Sequence, residues 1–208
     1  GGREHQRVRG RNPGGGVGAV TTVALTGTPG TGKTSVSDLV ADRLGVEVVH
    51  LNDAIREAEL FSERDVERDS LVADLDAVEA WLDDYRAAEA SGDHDSVGDR
   101  DGDPDLLVES HLAHLLDADR VVVLRCHPES LKPRLRDRGE SEASVAENAE
   151  SEALDQILAA AVDRHGEDSV WEIDTTDRAP EAVADDVVAA IDGETDPRVG
   201  VVDFIEYL

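Results

Sequence analysis

Lysine is almost missing from this chain, which contains Lys33 and Lys132 beside eighteen arginines. Aromatic residues make up only 3% of the sequence, and no stretch approaches the eighteen or so consecutive apolar residues of a membrane-spanning helix. Cysteine occurs once, at Cys126, so an intrachain disulfide is excluded and a reducing compartment is favoured. These scarcities argue against a disulfide-stabilised or membrane-spanning protein and predict a cytoplasmic one.

Acidic residues dominate what is present. The 208 residues contain 48 Asp and Glu, for a formal net charge of −28 and an isoelectric point near 4.3. Such self-repulsion destabilises a compact chain at low salt, whereas a Debye length of about 3 Å in molar salt screens it. With so few lysines and aromatics, this charge predicts a protein of an extreme halophile, expected to be archaeal. It also argues against strong direct binding to nucleic acid.

One of the two lysines lies inside a glycine-rich loop. Residues 27–34 are GTPGTGKT, which fits the G-x-x-x-x-G-K-T pattern of a phosphate-binding P-loop. An apolar run at 20–25 precedes it and a helical pattern at 35–44 follows, which is the strand–loop–helix setting that the pattern requires. Lys33 is expected to reach the β- and γ-phosphates and Thr34 to ligate Mg²⁺. The predicted ATP contacts in the loop are Gly30, Gly32, Lys33, Thr34 and Ser35.

Apolar runs and helical patterns alternate along the rest of the chain. Strands that alternate with helices predict an α/β protein of the P-loop NTPase fold, with five parallel strands and helices on both faces. The P-loop then lies at the carboxyl edge of the sheet, where ligands bind. The predicted strands are 20–25, 46–51, 105–109, 121–124 and 170–173, and the predicted helices are 35–44, one starting at Ala54 behind an Asn52-Asp53 cap, 69–90, 128–138, 141–164 and 180–192.

Three classes of P-loop protein compete for this pattern. A GTPase carries an N-K-x-D motif, and neither lysine of this chain lies in one. An AAA-type ATPase needs more length, a helical lid domain and a strand that ends in Asp-Glu, whereas this strand ends Val108-Glu109-Ser110. A nucleoside monophosphate kinase needs about this length, a helical acceptor region and an arginine-bearing lid. The sequence has candidates for both regions, at about 52–90 and 134–152.

The chain is expected to form one domain between two tails. The polar segment 61–65 is interpreted as a connector, and Gly139 as the residue that ends a helix. The predicted boundaries are a disordered basic tail at 1–19, a P-loop kinase domain at 20–192 with its acceptor region at about 52–90, a solvated acidic loop at 91–104 and a lid at about 134–152, and a C-terminal tail at 193–208 that docks on the domain.

A series of short motifs follows the P-loop. They are Glu109-Ser110-His111 after an apolar strand, the run 121–125, Arg134-Leu135 with Arg138-Gly139, and Glu147-Asn148 with Glu150 and Glu152. Over about residues 20–175 the chain resembles the CINAP-type adenylate kinases, the isoenzyme-six branch of the nucleoside monophosphate kinases, which usually have Asp-x-His in place of Glu-x-His. The resemblance implies Mg²⁺-dependent phosphoryl transfer from ATP to AMP, giving two ADP. It also implies ATP hydrolysis and a role in small ribosomal subunit and rRNA maturation through a ribosomal protein partner.

Within this interpretation, four residues are the candidate catalytic groups: Lys33, Glu109, His111 and Arg138. Arg138 is expected to bind ATP, because guanidinium groups hold phosphates through paired hydrogen bonds. Its alternative is a solvated charge at a helix end. Glu109 is expected to hold Mg²⁺, directly or through water, with a helix-capping carboxylate as the alternative. His111 is expected to polarise water or touch phosphate, or else to be hydrogen-bonded structure.

Other candidates depend on the resemblance more strongly. Arg56 and Asn52 are expected to bind AMP, and the alternative for Arg56 is an i,i+3 pair with Glu59. His111 and His114 lack a third ligand, so no zinc site is expected. The resemblance also marks Asn148, Glu150 and Glu152 on the lid helix, whose other interpretation is a solvated acidic face.

Two rival hypotheses stay open beside the adenylate kinase. The chain could be an assembly factor that uses ATP as a switch on a ribosomal protein or pre-ribosomal particle, with RNA contacted through that partner. It could also be a kinase for another small acceptor.

Overall fold

A five-stranded parallel sheet forms the centre of the computed structural model, which describes residues 21–65, 70–91 and 106–208. The described residues form seven strands, of which β3 and β4 make a separate hairpin and the other five make this sheet. The strands are β1 (Thr22–Gly27), β2 (Glu47–His50), β3 (Phe61–Asp65), β4 (Ser70–Ala73), β5 (Leu106–Glu109), β6 (Arg120–Arg125) and β7 (Val170–Asp174). The order in the sheet is β2-β5-β1-β6-β7, and every neighbouring pair is parallel. The predicted fold is therefore confirmed, with the P-loop strand β1 in the middle.

Helices cover both faces of the sheet. They are α1 (Lys33–Leu44), α2 (Leu51–Glu57), α3 (Leu75–Ser91), α4 (Pro128–Asp137), α5 (Glu142–Ala153), α6 (Gln156–His165) and α7 (Pro180–Ile191). Val40 of α1 and Val187 of α7 are fully buried in the core on one face, and Val78 of α3 lies in the core on the other. Because both faces are covered, the central strands are almost entirely apolar, as Val121 and Val123 of β6 illustrate.

The region between α2 and α3 differs from the prediction. The predicted helix at 69–90 begins only at Leu75, and the supposed connector Phe61–Asp65 is a strand that pairs antiparallel with Ser70–Ala73. The Asp74 carboxylate accepts a hydrogen bond from the Ala77 amide at 3.2 Å, which marks the true helix start. The apolar residues before Asp74 match helical spacing, but they belong to this hairpin.

The predicted helix at 141–164 is two helices. α5 ends at Ala153 and α6 begins at Gln156, because Asp155 adopts a left-handed conformation with φ 54°. The Asp155 carboxylate binds the buried Arg125 guanidinium at 2.5 Å. The break therefore serves a contact with a distant strand, which helical periodicity does not reveal.

The start of α2 also differs from the prediction. The helix begins at Leu51 rather than Ala54, so Asn52 lies within its first turn and does not cap it. Gly139 does follow the end of α4 as expected, with φ 82°. The predicted tail at 1–19 and all but the first residue of the predicted loop at 91–104 lie outside the described residues.

The C-terminal segment packs on the domain as expected. Phe204 is buried, with its ring 5.2 Å from the His127 ring and beneath the Arg125 guanidinium. Among the described helices, none is long and apolar enough to cross a membrane.

Candidate nucleotide site

The P-loop connects the carboxyl end of β1 to α1 in a shape that requires glycine. A side chain at Gly27 would press on the Leu124 carbonyl oxygen of the neighbouring strand β6. Gly32 has φ 96° and immediately precedes the first residue of α1, a conformation that residues with a Cβ rarely adopt. The loop therefore curls tightly, with its backbone N–H groups near the helix N-terminus, where anions bind.

Lys33 is the first residue of α1, and its side chain folds back over this loop. Its Nζ donates to the carbonyl oxygens of Gly27 at 2.9 Å and Thr28 at 3.1 Å, and the side chain is nearly buried. Burial lowers the pKa of Lys33 to about 8; Glu109 and Glu152 raise it, while Arg138 lowers it further. The ammonium is thus partly desolvated, which strengthens its attraction for an anion.

Glu109 and Thr34 face each other beside the loop. Glu109 ends β5, with Leu25 and His50 opposite it on the two neighbouring strands. The Thr34 hydroxyl donates to Glu109 Oε2 at 3.4 Å, and His50 Nδ1 lies 3.1 Å from the same oxygen. The other nitrogen of His50, Nε2, is 3.5 Å from the Asp38 carboxylate. Glu109 therefore contacts the hydroxyl of Thr34 in the first turn of α1 and the ring of His50 at the end of β2.

This pair has the chemistry of a magnesium site. Mg²⁺ prefers hard oxygen ligands and is usually bound through one or two protein groups together with phosphates and water. Glu109 and Thr34 supply a carboxylate and a hydroxyl at the edge of the loop. Within the described part of the chain, no cluster of three or more His, Cys, Asp or Glu has the arrangement of a metal site.

His111 and His114 have different environments. His111 lies beside the loop, where burial and the nearby Lys33 lower its pKa to about 4, so its imidazole is neutral at neutral pH. His114 is buried, with Nδ1 3.1 Å from Thr26 Oγ1, and burial likewise lowers its pKa to about 4. The structure thus gives His114 a role in the core, while His111 faces the site.

A cavity of about 670 Å³ extends from the P-loop between the hairpin β3–β4 and the helices α4 and α5. The sequence-predicted residues that line it are Gly30, Gly32, Lys33, Thr34, Ser35, Asn52, Arg56, Glu109, His111, Arg134, Arg138 and Asn148. The predicted site residues therefore meet at one place, although they come from distant parts of the chain. Sequence reasoning missed Leu71 and Ala73 of the hairpin, Leu112, and Ser144 of α5, which also line the cavity.

The two predicted AMP contacts have different surroundings. Arg56 is exposed and pairs with Asp53 at 3.1 Å, so its suggested pair with Glu59 is wrong. Asn52 Oδ1 accepts a hydrogen bond from the Ser110 hydroxyl at 3.0 Å, which ties α2 to the end of β5.

The polar residues of α5 also differ in how exposed they are. Glu150 is exposed, as a solvated face requires, and Asn148 is half-buried with its amide on the Ser144 carbonyl at 2.9 Å. Glu152 is 3% exposed and binds the Thr28 hydroxyl of the P-loop, the Arg125 guanidinium and the Cys126 amide. A solvated face is therefore wrong for Glu152. It lies at helical spacing from the buried Val145 and Ala149, but its charge disguised its burial.

The sheet and the loop together define the chain as a protein of the P-loop NTPase fold. A family model described as "AAA domain" matches residues 23–155. This description shares its name with the AAA-type alternative, but the chain has Glu109-Ser110 where that alternative requires Asp-Glu.

Several relatives share nearly the whole length of the chain. A protein of Natronomonas pharaonis named "Putative adenylate kinase" is 56% identical over 89% of this chain and 99% of its own length. Proteins of the same name from Halobacterium salinarum and Methanocaldococcus jannaschii are 48% and 36% identical, over 89% and 88% of this chain and 99% and 93% of theirs. The chain belongs to this archaeal adenylate kinase family.

The matches among solved structures are weaker than these relatives. A gluconokinase from Sinorhizobium meliloti has a TM-score of 0.48 and 16% identity, over 83% of this chain and 92% of its own. A shikimate kinase from Bacteroides thetaiotaomicron has a TM-score of 0.48 and 19% identity, over 81% and 97%.

Proposed function

We propose that the chain is a nucleoside monophosphate kinase, and specifically an adenylate kinase that converts ATP and AMP into two ADP with Mg²⁺. One observation carries the proposal: the P-loop with Lys33 and the acceptor candidates Asn52 and Arg56 line the same cavity. Phosphoryl transfer needs donor and acceptor side by side, with water kept out, and little covalent help from the protein. The relatives named as adenylate kinases support the same activity.

In this proposal the loop binds the phosphates of ATP. The N–H groups of Gly30, Gly32 and Ser35 surround them, and Lys33 exchanges its two carbonyl partners for phosphate oxygens. Arg138, with Arg134 beside it on α4, approaches from the lid at about 134–152 and neutralises the charge that moves during transfer. Neutral His111 offers a hydrogen bond there without adding charge.

Magnesium has a defined place in the proposal. Thr34 and Glu109 would hold Mg²⁺ at the loop, directly or through water. When bound, the ion neutralises phosphate charge. Glu is one methylene longer than the Asp of related motifs, and the hydrogen bonds to His50 and Thr34 direct its carboxylate toward the loop.

The acceptor region proposed at about 52–90 would bind AMP. Arg56 would leave Asp53 for the AMP phosphate, a low-cost exchange because the pair is exposed. Leu71 and Ala73 of the hairpin add apolar surface to the same cavity and suit the flat face of a base.

The decisive experiment measures ADP formation from ATP and AMP in molar KCl. Lys33→Ala is expected to lower the rate at least about a hundredfold, because the loop loses its only ammonium group. Lys132→Ala is the matched control: the other lysine contacts Glu129 and Tyr207 and lies outside the cavity lining. If ADP forms equally fast without AMP, the kinase proposal fails and an ATPase remains.

A second function follows from the motif series that includes Glu109-Ser110-His111. We propose that the chain belongs to the CINAP-type branch, is cytoplasmic, and also hydrolyses ATP as a switch on a small-subunit ribosomal protein. The test is co-purification with that protein and its release by ATP; retention regardless of ATP would reject the switch.

A further inference from the structure

The buried carboxylate of Glu152 links the lid helix to the P-loop. One oxygen, Oε2, accepts from the Thr28 hydroxyl of the loop. The other, Oε1, accepts from Arg125 Nε at 2.8 Å and from the Cys126 amide at 2.9 Å. Glu152 is the last residue but one of α5, the helix that also lines the cavity through Ser144 and Asn148.

Thr28 takes part in several of the hydrogen bonds that fix the shape of the loop. Its carbonyl oxygen accepts from the Thr31 amide at 3.2 Å, the Thr31 hydroxyl at 2.9 Å and Lys33 Nζ at 3.1 Å. Within the described part of the chain, its hydroxyl donates to Glu152. A shift of Thr28 would therefore move most of the loop.

Phosphate binding removes one of these supports. In the proposed function, on which this inference rests, Lys33 leaves the Thr28 carbonyl to reach the phosphates. Neither Thr28 nor Glu152 lines the cavity, so their contact is expected to persist when ATP binds.

Arg125 makes this support rigid. Its guanidinium is 2% exposed and binds Glu172 at 2.6 Å, the Glu152 carbonyl at 3.0 Å and the Asp155 carboxylate at 2.5 Å. A carboxylate held by a buried, fully paired arginine has little freedom to move.

We infer that Glu152 is a positioning residue that keeps the P-loop in its nucleotide-binding shape through the hydroxyl of Thr28. It acts on ATP through the loop and has no direct contact with the reacting atoms.

The experiment compares Thr28→Val with Thr28→Ser. Valine keeps the shape of threonine but removes the hydroxyl, whereas serine retains it. The probe is AMP-PNP, a non-hydrolysable ATP analogue, titrated with Mg²⁺ by calorimetry in molar KCl. We expect Thr28→Val to weaken AMP-PNP binding about tenfold, the loss of one charge-assisted hydrogen bond, and Thr28→Ser to stay within about threefold of the wild type. The KM for AMP should not change in either variant.

Thr22→Val is the matched control. Thr22 is also a buried threonine, and its hydroxyl accepts from Arg86 Nε at 3.1 Å at the start of β1, the end of the strand opposite the loop. This variant is expected to lower the melting temperature and leave AMP-PNP affinity unchanged. If Thr28→Val behaves in the same way, or if Thr28→Ser weakens binding as much as valine does, the inference is overturned.

A second variant covers the case in which Thr28→Val does not fold. Glu152→Asp keeps the charge beside Arg125 but withdraws the carboxylate by one methylene, so it cannot reach Thr28 while it also binds Arg125 and the Cys126 amide. It should weaken AMP-PNP binding to a similar extent, and wild-type affinity would overturn the inference. Two other outcomes would reject the proposed function and the inference with it. One is that the wild-type protein does not bind AMP-PNP, and the other is that Lys33→Ala binds AMP-PNP as tightly as the wild type does.

Discussion

Single residues in this protein have properties that depend on burial more than on their type. Arg138 and Arg136 lie two positions apart at the end of α4, yet Arg138 lines the cavity while Arg136 forms a bidentate pair with Glu142 at 2.8 and 2.9 Å. His114 and His111 likewise differ only in what surrounds them. Substitutions of single residues can therefore affect function and stability separately.

The two arginines provide one prediction. Arg138→Ala should lower kcat/KM for ATP about 10- to 100-fold, because a guanidinium–phosphate contact of roughly 1.5–3 kcal/mol is lost in the transition state. Arg136→Ala should change kcat/KM less than about twofold, since it removes only an exposed pair with Glu142. Steady-state kinetics with varied ATP at saturating AMP measure both, and equal losses would reject a role for Arg138.

His114 provides a pH prediction. Its pKa is 6.5 in a free chain, and burial lowers this pKa to about 4 in the folded protein. At a pH between these two values, His114 binds a proton in the unfolded chain but not in the folded one. Stability should therefore fall as the pH drops from 7.5 to 5.5, by about 1 kcal/mol from this group alone. His114→Gln should remove that part of the pH dependence. Urea unfolding at both pH values in constant KCl measures it, and parallel curves for the two proteins would contradict the assignment.

At the scale of elements, chain reversals position the walls of the cavity. α2 ends at Glu57, and the chain turns through Glu59, which has φ 54°, so that the Leu60 amide reaches the Ile55 carbonyl at 2.9 Å. This turn leads directly into the hairpin whose residues Leu71 and Ala73 line the cavity. A residue with a Cβ is strained at such a position, where glycine is usual.

Relief of that strain can be tested. Glu59→Gly should raise the free energy of unfolding by about 0.5–1 kcal/mol, because glycine adopts the left-handed conformation without cost. Glu57→Gly, which removes the same charge from the end of α2, should lower it by about 0.5 kcal/mol. Urea unfolding in molar KCl compares the two, and a loss of stability in both variants would contradict the prediction.

The stability of the whole molecule depends on its net charge of −28. Burial of an apolar core on both faces of the sheet must overcome the mutual repulsion of the surface carboxylates, and salt weakens that repulsion by shortening the Debye length.

The corresponding prediction concerns thermal stability. At pH 7 the melting temperature should rise steeply between about 0.1 M and 1 M KCl, over which the Debye length falls from about 10 Å to 3 Å. Near the isoelectric point of about 4.3 the same change of salt should have a much smaller effect, because the net charge is close to zero. Scanning calorimetry at both pH values measures the difference. An equal salt effect at both would show that charge repulsion is not its cause.

Local patterns in the sequence were sufficient for the P-loop, the parallel sheet and most helices. Residues 27–34 carry their conformation in their own glycines, and the strands around Val121 to Leu124 are recognisable because burial on both faces demands a continuous apolar run. Among the residues that line the cavity, Glu109 was predictable in the same way, since the carboxyl ends of parallel strands meet at one edge, whereas Arg56 and Asn148 were marked only by the family resemblance.

Contacts between residues far apart in the sequence determined the structural features that local patterns did not predict. Leu71 is in a strand because it pairs with Arg64 across a hairpin, and α5 stops before Asp155, whose carboxylate binds Arg125. Glu152 is buried because Arg125 and Thr28 converge on it from positions 27 and 124 residues away in the chain. Helical periodicity reports only neighbours within a few residues. By itself the sequence therefore determined the kind of loop and the kind of sheet, whereas the tertiary structure alone decided which carboxylate holds that loop in place.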